Sequence, residues 1–363
     1  MMMTPRFVPD AQVADLLHCA FQTRLKNAYV DLLKQIKEYD GSIATDDLFA
    51  EVQKTPSAQF NGIKCFAYNK AVSLCEKDDV VSALQSIKRH FCLDESVGYY
   101  IGSSNEKCGS LIDDLYASIA SGEGVKHQEK MRVSFQRPPY DQYQSALNLL
   151  KKGMGVLRES SQSLFEESAA LVRNIGFFST QDSDEFSFLS LTGNLIQSFI
   201  LINSAWNSDW VDVLDKYIHE SAHAYLFLIN LDHELVLNPE TERFPSPLRQ
   251  DLRHMPGIYH SVFVIQRLLL GFSKIKDLDS VTISEKKKIE NLIDDCRSKV
   301  HRGYETLSMH GRMSHMACRL IYEGMLATKY RGSYQQDFFE KSHVDLTAMK
   351  DLHRVAKGVS CTD

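Results

Sequence analysis

Residues 219–223, His-Glu-Ser-Ala-His, place two imidazoles four positions apart with a carboxylate next to the first. On a helix such positions share one face, one turn apart, so both rings can converge on one metal ion. Glu220 lies about 100° round the helix from His219. In a zinc peptidase a glutamate so placed is not a ligand but the general base that activates the attacking water. The same two-histidine helix serves other metal chemistry too. It is also compatible with a surface histidine followed by a core one.

The third ligand separates these possibilities. An elongated zinc motif needs glycine three residues after His223 and histidine three further on, but Leu226 and Ile229 stand there. A glutamate ligand on a later helix has no clear match among Glu285, Glu290 and Glu305. The conspicuous candidate is His260, which opens the apolar run "HSVFVIQRL". Arg267 follows on the same face, about 10 Å along the axis if the run is helical. An arginine in so apolar a run needs an anion, because an unpaired buried charge is costly. That anion is either an internal Asp or Glu or a bound carboxylate, which the planar guanidinium grips with two hydrogen bonds. A small dicarboxylate that chelates the metal at one end fits the spacing.

The elements that must hold these groups read as mainly α: a multi-helix fold with a small β element before the HExxH helix. Residues 1–175 form a helical N-terminal region and 176–363 the metal-binding region. The run "AQVADLLHCAFQTRLKNAYVDLLKQIKEY" spaces its apolar residues three and four apart, and so does 140–175. Pro138 and Pro139 mark the clearest break between helices. Residues 111–127 end in a glycine-rich loop, Ser121-Gly122-Glu123-Gly124. "FSFLSLTGNLIQSFILINS" (186–204) alternates and is rich in β-branched and aromatic residues, predicting one or two strands with a turn at Gly193. Residues 209–231 then form a helix whose apolar stripe is Val211, Leu214, Ile218, Ala222, Tyr225 and Ile229. A long irregular segment, 232–257, holds four of the nine prolines. Beyond it come a helix over about 258–271, another to Gly311 opened by a Thr282/Glu285 capping box, and a last one over 312–330.

Bulk properties narrow the partners. With 363 residues, a net charge of −6 and no long basic block, neither nucleic acid nor an anionic membrane is an expected partner. Eight scattered cysteines without a C-x-x-C pair read as reduced thiols of a cytoplasmic protein. "MMMTPRFVPDAQVADLL" has no basic-led apolar run, so no signal peptide is expected.

With these residues assembled, the sequence resembles the HExxH-motif peptide-modification proteins, the iron(II)/2-oxoglutarate-dependent oxygenases of peptide natural-product clusters. "HESAHAYLF" and "SPLRQDLRHMPGIYHSVFVIQRL" carry the resemblance, with weaker support from "YETLSMHGRMSHMACRLIYEGM". In the second block the family's pattern falls on Ser246, Pro247, Arg249, Arg253, Gly257, His260 and Arg267; His254 stands where a proline or other small residue is expected. The motifs lie within 219–325 and the N-terminal half adds none. The resemblance implies hydroxylation of an amino-acid side chain, often at the β-carbon, in a peptide or amino-acid substrate, including a leader-bearing precursor peptide. It implies His219, His223 and His260 as ligands to iron(II), and Arg267 for the distal carboxylate of 2-oxoglutarate. Arg253 and Arg249 are the runners-up for that carboxylate, or else bind substrate or pair with Asp251 or Glu242. Three ligands leave positions for the 2-oxo acid and dioxygen. Glu220, the candidate catalytic carboxylate, either orients a ligand or positions substrate.

Two other readings stand beside this one: a zinc-dependent peptidase with Glu220 as base, and a binding module whose HExxH helix is purely structural. His233 and His254 are expected in solvent. His310 and His315 are poorly spaced for one helix face. Tyr217, Tyr225, Met309 and Met316 are expected in the core.

Overall fold

A computed structural model describes residues 5–91, 100–101, 113–118, 135–180, 189–248, 251–330, 332 and 334. The fold is mainly α with a small four-stranded sheet, as expected. Two compact units emerge: Asp10–Leu231 with Asp277–Glu285, and Met1–Pro9 with Asp232–Lys276 and Lys286–Asp363. The boundary expected at 175/176 falls inside the larger unit, because the sheet uses strands from both sides of it.

In the larger unit, α1 (Ala11–Tyr39) starts at Asp10, whose side chain accepts from the backbone N–H groups of Gln12 and Val13. This satisfies two donors that the first turn leaves open. Its buried face runs Val13, Ala14, His18, Phe21, Leu25, Tyr29, Leu32, Leu33 and Ile36 at helical spacing. Next come α2 (Asp46–Lys54), α3 (Gly62–Cys75), α4 (Val80–Phe91), β1 (Tyr100–Ile101) and α5 (113–118). The Gly-rich end of 111–127 lies outside the described residues. The expected single helix over 140–175 is two, α6 (Tyr140–Ser160) and α7 (Gln162–Leu171), broken at Ser161. The chain then enters β2 (Asn174–Phe178).

β2 (Asn-Ile-Gly-Phe-Phe) and β4 (Phe199–Asn203, Phe-Ile-Leu-Ile-Asn) are buried at every position. Such continuous runs are what a parallel pair covered on both faces requires. The sheet order is β1-β2-β4-β3; β1, β2 and β4 are parallel and β3 (Ser190–Leu191) is antiparallel to β4. Where one or two strands are expected within 186–204 there are two, β3 and β4, joined through Gly193 and a 3-10 turn at Asn194–Ile196. Gly62 lets α3 start against this sheet: a Cβ there would meet the Gln197 carbonyl oxygen and Phe199 Cβ at 2.6 Å.

α8 (Trp210–Asn230) packs on α6, α7, β3 and β4. Buried Trp210 donates its indole N–H to Glu285 Oε1 at 2.5 Å. The expected capping box exists: Glu285 Oε2 accepts from the Thr282 N–H at 2.9 Å and Thr282 Oγ1 from the Glu285 N–H at 3.4 Å.

The smaller unit is built on α9 (Met255–Ile275), residues 286–310 of α10 (Ile283–His310) and α11 (His315–Ala327). Gln266 of α9 ties all three together, donating to Tyr304 Oη at 2.5 Å and to the Ile321 carbonyl at 2.9 Å. Gly324 admits the Gln266 side chain, which any Cβ would strike. The segment after α8 is irregular but anchored. A short hairpin pairs β5 (Phe244–Pro245) with β6 (Leu252–Arg253), and Asn238 accepts from the Arg312 N–H at 2.6 Å. Among the described residues no helix is long and apolar enough to cross a membrane. The described cysteines, Cys19, Cys65, Cys75, Cys296 and Cys318, form no disulfide.

Candidate functional site

α8 begins at Asp209, whose carboxylate accepts from the N–H groups of Val211 and Asp212. From Val211 to Ile229 every residue is buried except Asp212, Asp215, His219, His223 and Phe227. Spacings of three and four place these five on one stripe. The two histidines therefore occupy the partly accessible face of an otherwise buried helix. Their ring centroids are 4.9 Å apart, and His223 stacks on Phe227 at 6.1 Å. Burial lowers the His219 pKa to about 4. The imidazole is thus neutral near pH 7, the form that donates a lone pair to a metal.

Glu220 points away from that stripe into the interior, 4% exposed. Ser190 on β3 donates to its Oε1 at 2.6 Å. Burial raises its pKa to about 7, the charge of Asp215 adds to this, and hydrogen bonds from Ser190 and the Thr192 backbone act the other way. Ser190 was not legible as a site residue; its only signal is its place in the strand just ahead of the motif.

On α9, His260 is half-buried. Burial, with a contribution from His254, lowers its pKa to about 4. Arg267 follows seven residues later on the same helix and is 1% exposed. Its guanidinium carbon lies 4.9 Å from the Phe7 ring centroid and 5.2 Å from that of Phe263. Of the two kinds of anion considered for this arginine, an internal carboxylate is present in the same cluster. Glu323 of α11 is 6% exposed, and Arg319, Arg6 and Arg267 all lower its pKa against the upward push of burial. Glu323 accepts from the Phe7 N–H at 2.6 Å and lies 3.7 Å from Arg319 Nε.

Arg253 pairs with Asp251 at 3.0 Å, and Arg249 lies outside the described residues. Glu242 pairs with Arg312 instead. His233 is exposed as expected, whereas His254 is half-buried. His310 stacks on Phe244 at 5.1 Å. Tyr217 and Tyr225 are core residues, but Met309, expected in the core, is 61% exposed because it falls on the outer face of α10.

The structure thus brings His219 and His223 together on α8, and sets His260 and Arg267 on α9. The first pair belongs to the larger unit and the second to the smaller. Within neither unit, among the described residues, do three or more His, Cys, Asp or Glu side chains gather as a metal site. Imidazole nitrogens suit both iron(II) and zinc, so the donor type alone fits either ion. No model of a known protein family matches the chain, and no curated protein matches it.

Proposed function

We propose that this chain is an iron(II)/2-oxoglutarate-dependent oxygenase that hydroxylates an amino-acid side chain, at the β-carbon, in a peptide or amino-acid substrate. The observation that carries the reading is the α8 stripe, where His219 and His223 share the accessible line of a helix buried everywhere else. His219, His223 and His260 would hold the iron. Arg267 would take the distal carboxylate of 2-oxoglutarate, with Arg253 and Arg249 as further candidates. Bound iron and its 2-oxo acid supply the oxidising power drawn from dioxygen. The chain's own part is to keep His219 and His260 neutral by burial, and to wall the helix with apolar side chains that exclude water. Glu220, fixed by Ser190, orients α8 against β3. A leader-bearing precursor peptide would find its surface on the helices of the N-terminal half.

One feature favours a zinc peptidase instead: burial pushes the Glu220 carboxyl up to about 7, the range that suits a general base. The two readings part in one assay. The iron-loaded protein is expected to convert 2-oxoglutarate to succinate, and His219→Ala and His260→Ala to abolish this. Absence of succinate, together with zinc-dependent peptide hydrolysis lost in Glu220→Gln while zinc stays bound, would replace the oxygenase by the peptidase.

A further inference from the structure

The N-terminal residues Pro5–Val8 lie across the middle of α9, over Phe263 and the Arg267 that the proposed chemistry needs open. Phe7 is fully buried and meets Phe263 edge to face at 5.4 Å. Its backbone N–H is taken by Glu323 at 2.6 Å, and the Pro5 carbonyl accepts from Arg319 Nη2 at 2.6 Å. The Arg267 guanidinium lies beside this ring pair, over both the Phe7 and Phe263 rings, with Glu323 as a counter-charge. The segment therefore covers the guanidinium with an aromatic face and pins itself to the same arginine–glutamate cluster.

We propose that Pro5–Val8 is an autoinhibitory strap: seated, it denies Arg267 to any bound carboxylate, and displaced, it opens Arg267 to the distal carboxylate of a small dicarboxylate. That this dicarboxylate is 2-oxoglutarate rests on the oxygenase reading; the strap itself does not. A ligand that binds only the open form pays for opening in apparent affinity, by the fraction of molecules open.

Two titrations of the full chain test this. One follows binding of glutarate to metal-free protein by calorimetry, and the other follows 2-oxoglutarate binding with anaerobic iron(II) by visible absorbance. Phe7→Ala and Glu323→Gln are each expected to tighten both by about ten-fold or more, and adding Arg267→Ala to either is expected to abolish the gain. Hydrogen exchange at the Phe7 amide in the unaltered protein needs no variant, and should accelerate as glutarate saturates. Equal affinities in the unaltered and strap variants, with the Phe7 amide unmoved by ligand, would overturn the strap and leave the oxygenase reading standing. Glutarate binding gained by the variants without any iron-dependent band would keep the strap and remove the oxygenase reading. No dicarboxylate binding by any variant would overturn the strap.

Discussion

α8 and α9 are both apolar helices of 21 residues carrying the groups that chemistry would use, yet they treat those groups oppositely. α8 leaves a continuous stripe accessible and puts both histidines on it, while its one motif carboxylate faces inward to a neutral hydroxyl and a backbone N–H. α9 exposes His260 only near its start and seals Arg267 under an aromatic ring, beside a carboxylate shared with two further arginines. Burial alone therefore does not separate a structural charge from a functional one. What separates them is whether the partners already present satisfy the group.

The sealed charge cluster on α9 should break hardest. Glu323→Ala leaves Arg267 and Arg319 without their buried anion and the Phe7 N–H without its acceptor. We expect about 3–5 kcal/mol of lost stability in urea unfolding. Replacing Arg267 and Glu323 together, by Met and Gln, should cost far less than the sum of the single changes. The open stripe of α8 should break differently. His219→Ala or His223→Ala should lower metal affinity by more than about 100-fold, beyond what outer partners of a ligand contribute, with little change in the melting temperature.

His18 on α1 sharpens the contrast, being a histidine sealed like Arg267 but with no stripe to face. It is fully buried, neither ring nitrogen has a hydrogen-bond partner, and burial with the charge of Arg173 lowers its pKa to about 3. Between pH 6.5, its ordinary value, and about 3, the unfolded chain binds a proton that the folded chain refuses. Its contribution to stability is thus complete above 6.5 and lost as pH falls, by about 1.4 kcal/mol per pH unit. His18→Leu should remove that part of the slope in denaturation measured across pH 4–7. The smallest effect belongs to Ser190→Ala. Glu220 keeps the Thr192 N–H, so the loss of one hydrogen bond should cost about 1 kcal/mol, read in the same unfolding assay.

Much of α8 was legible because its signal is local. An apolar stripe and two histidines one turn apart fall within one helix, and the stripe residues read from spacing are all buried. The capping box at Thr282 and Glu285 was local in the same way. β2 was not, since a parallel strand buried on both faces loses the alternation that marks a strand, and its apolar run continues that of α7. The partner of Arg267 was anticipated in kind but not in identity. Glu323 is 56 positions away and is brought to it by the packing of α11 on α9. Phe7 carries no pattern in the sequence at all; only the tertiary contact gives it meaning.

The central claim is tested most directly by the visible spectrum of the metal-free protein loaded anaerobically with iron(II) and saturated with 2-oxoglutarate. The oxygenase account predicts a weak metal-to-ligand charge-transfer band that needs both additions and is absent in His219→Ala and in Arg267→Ala. No band at saturation, with zinc retained tightly on the same protein, would contradict it and leave Glu220 as the base of a peptidase.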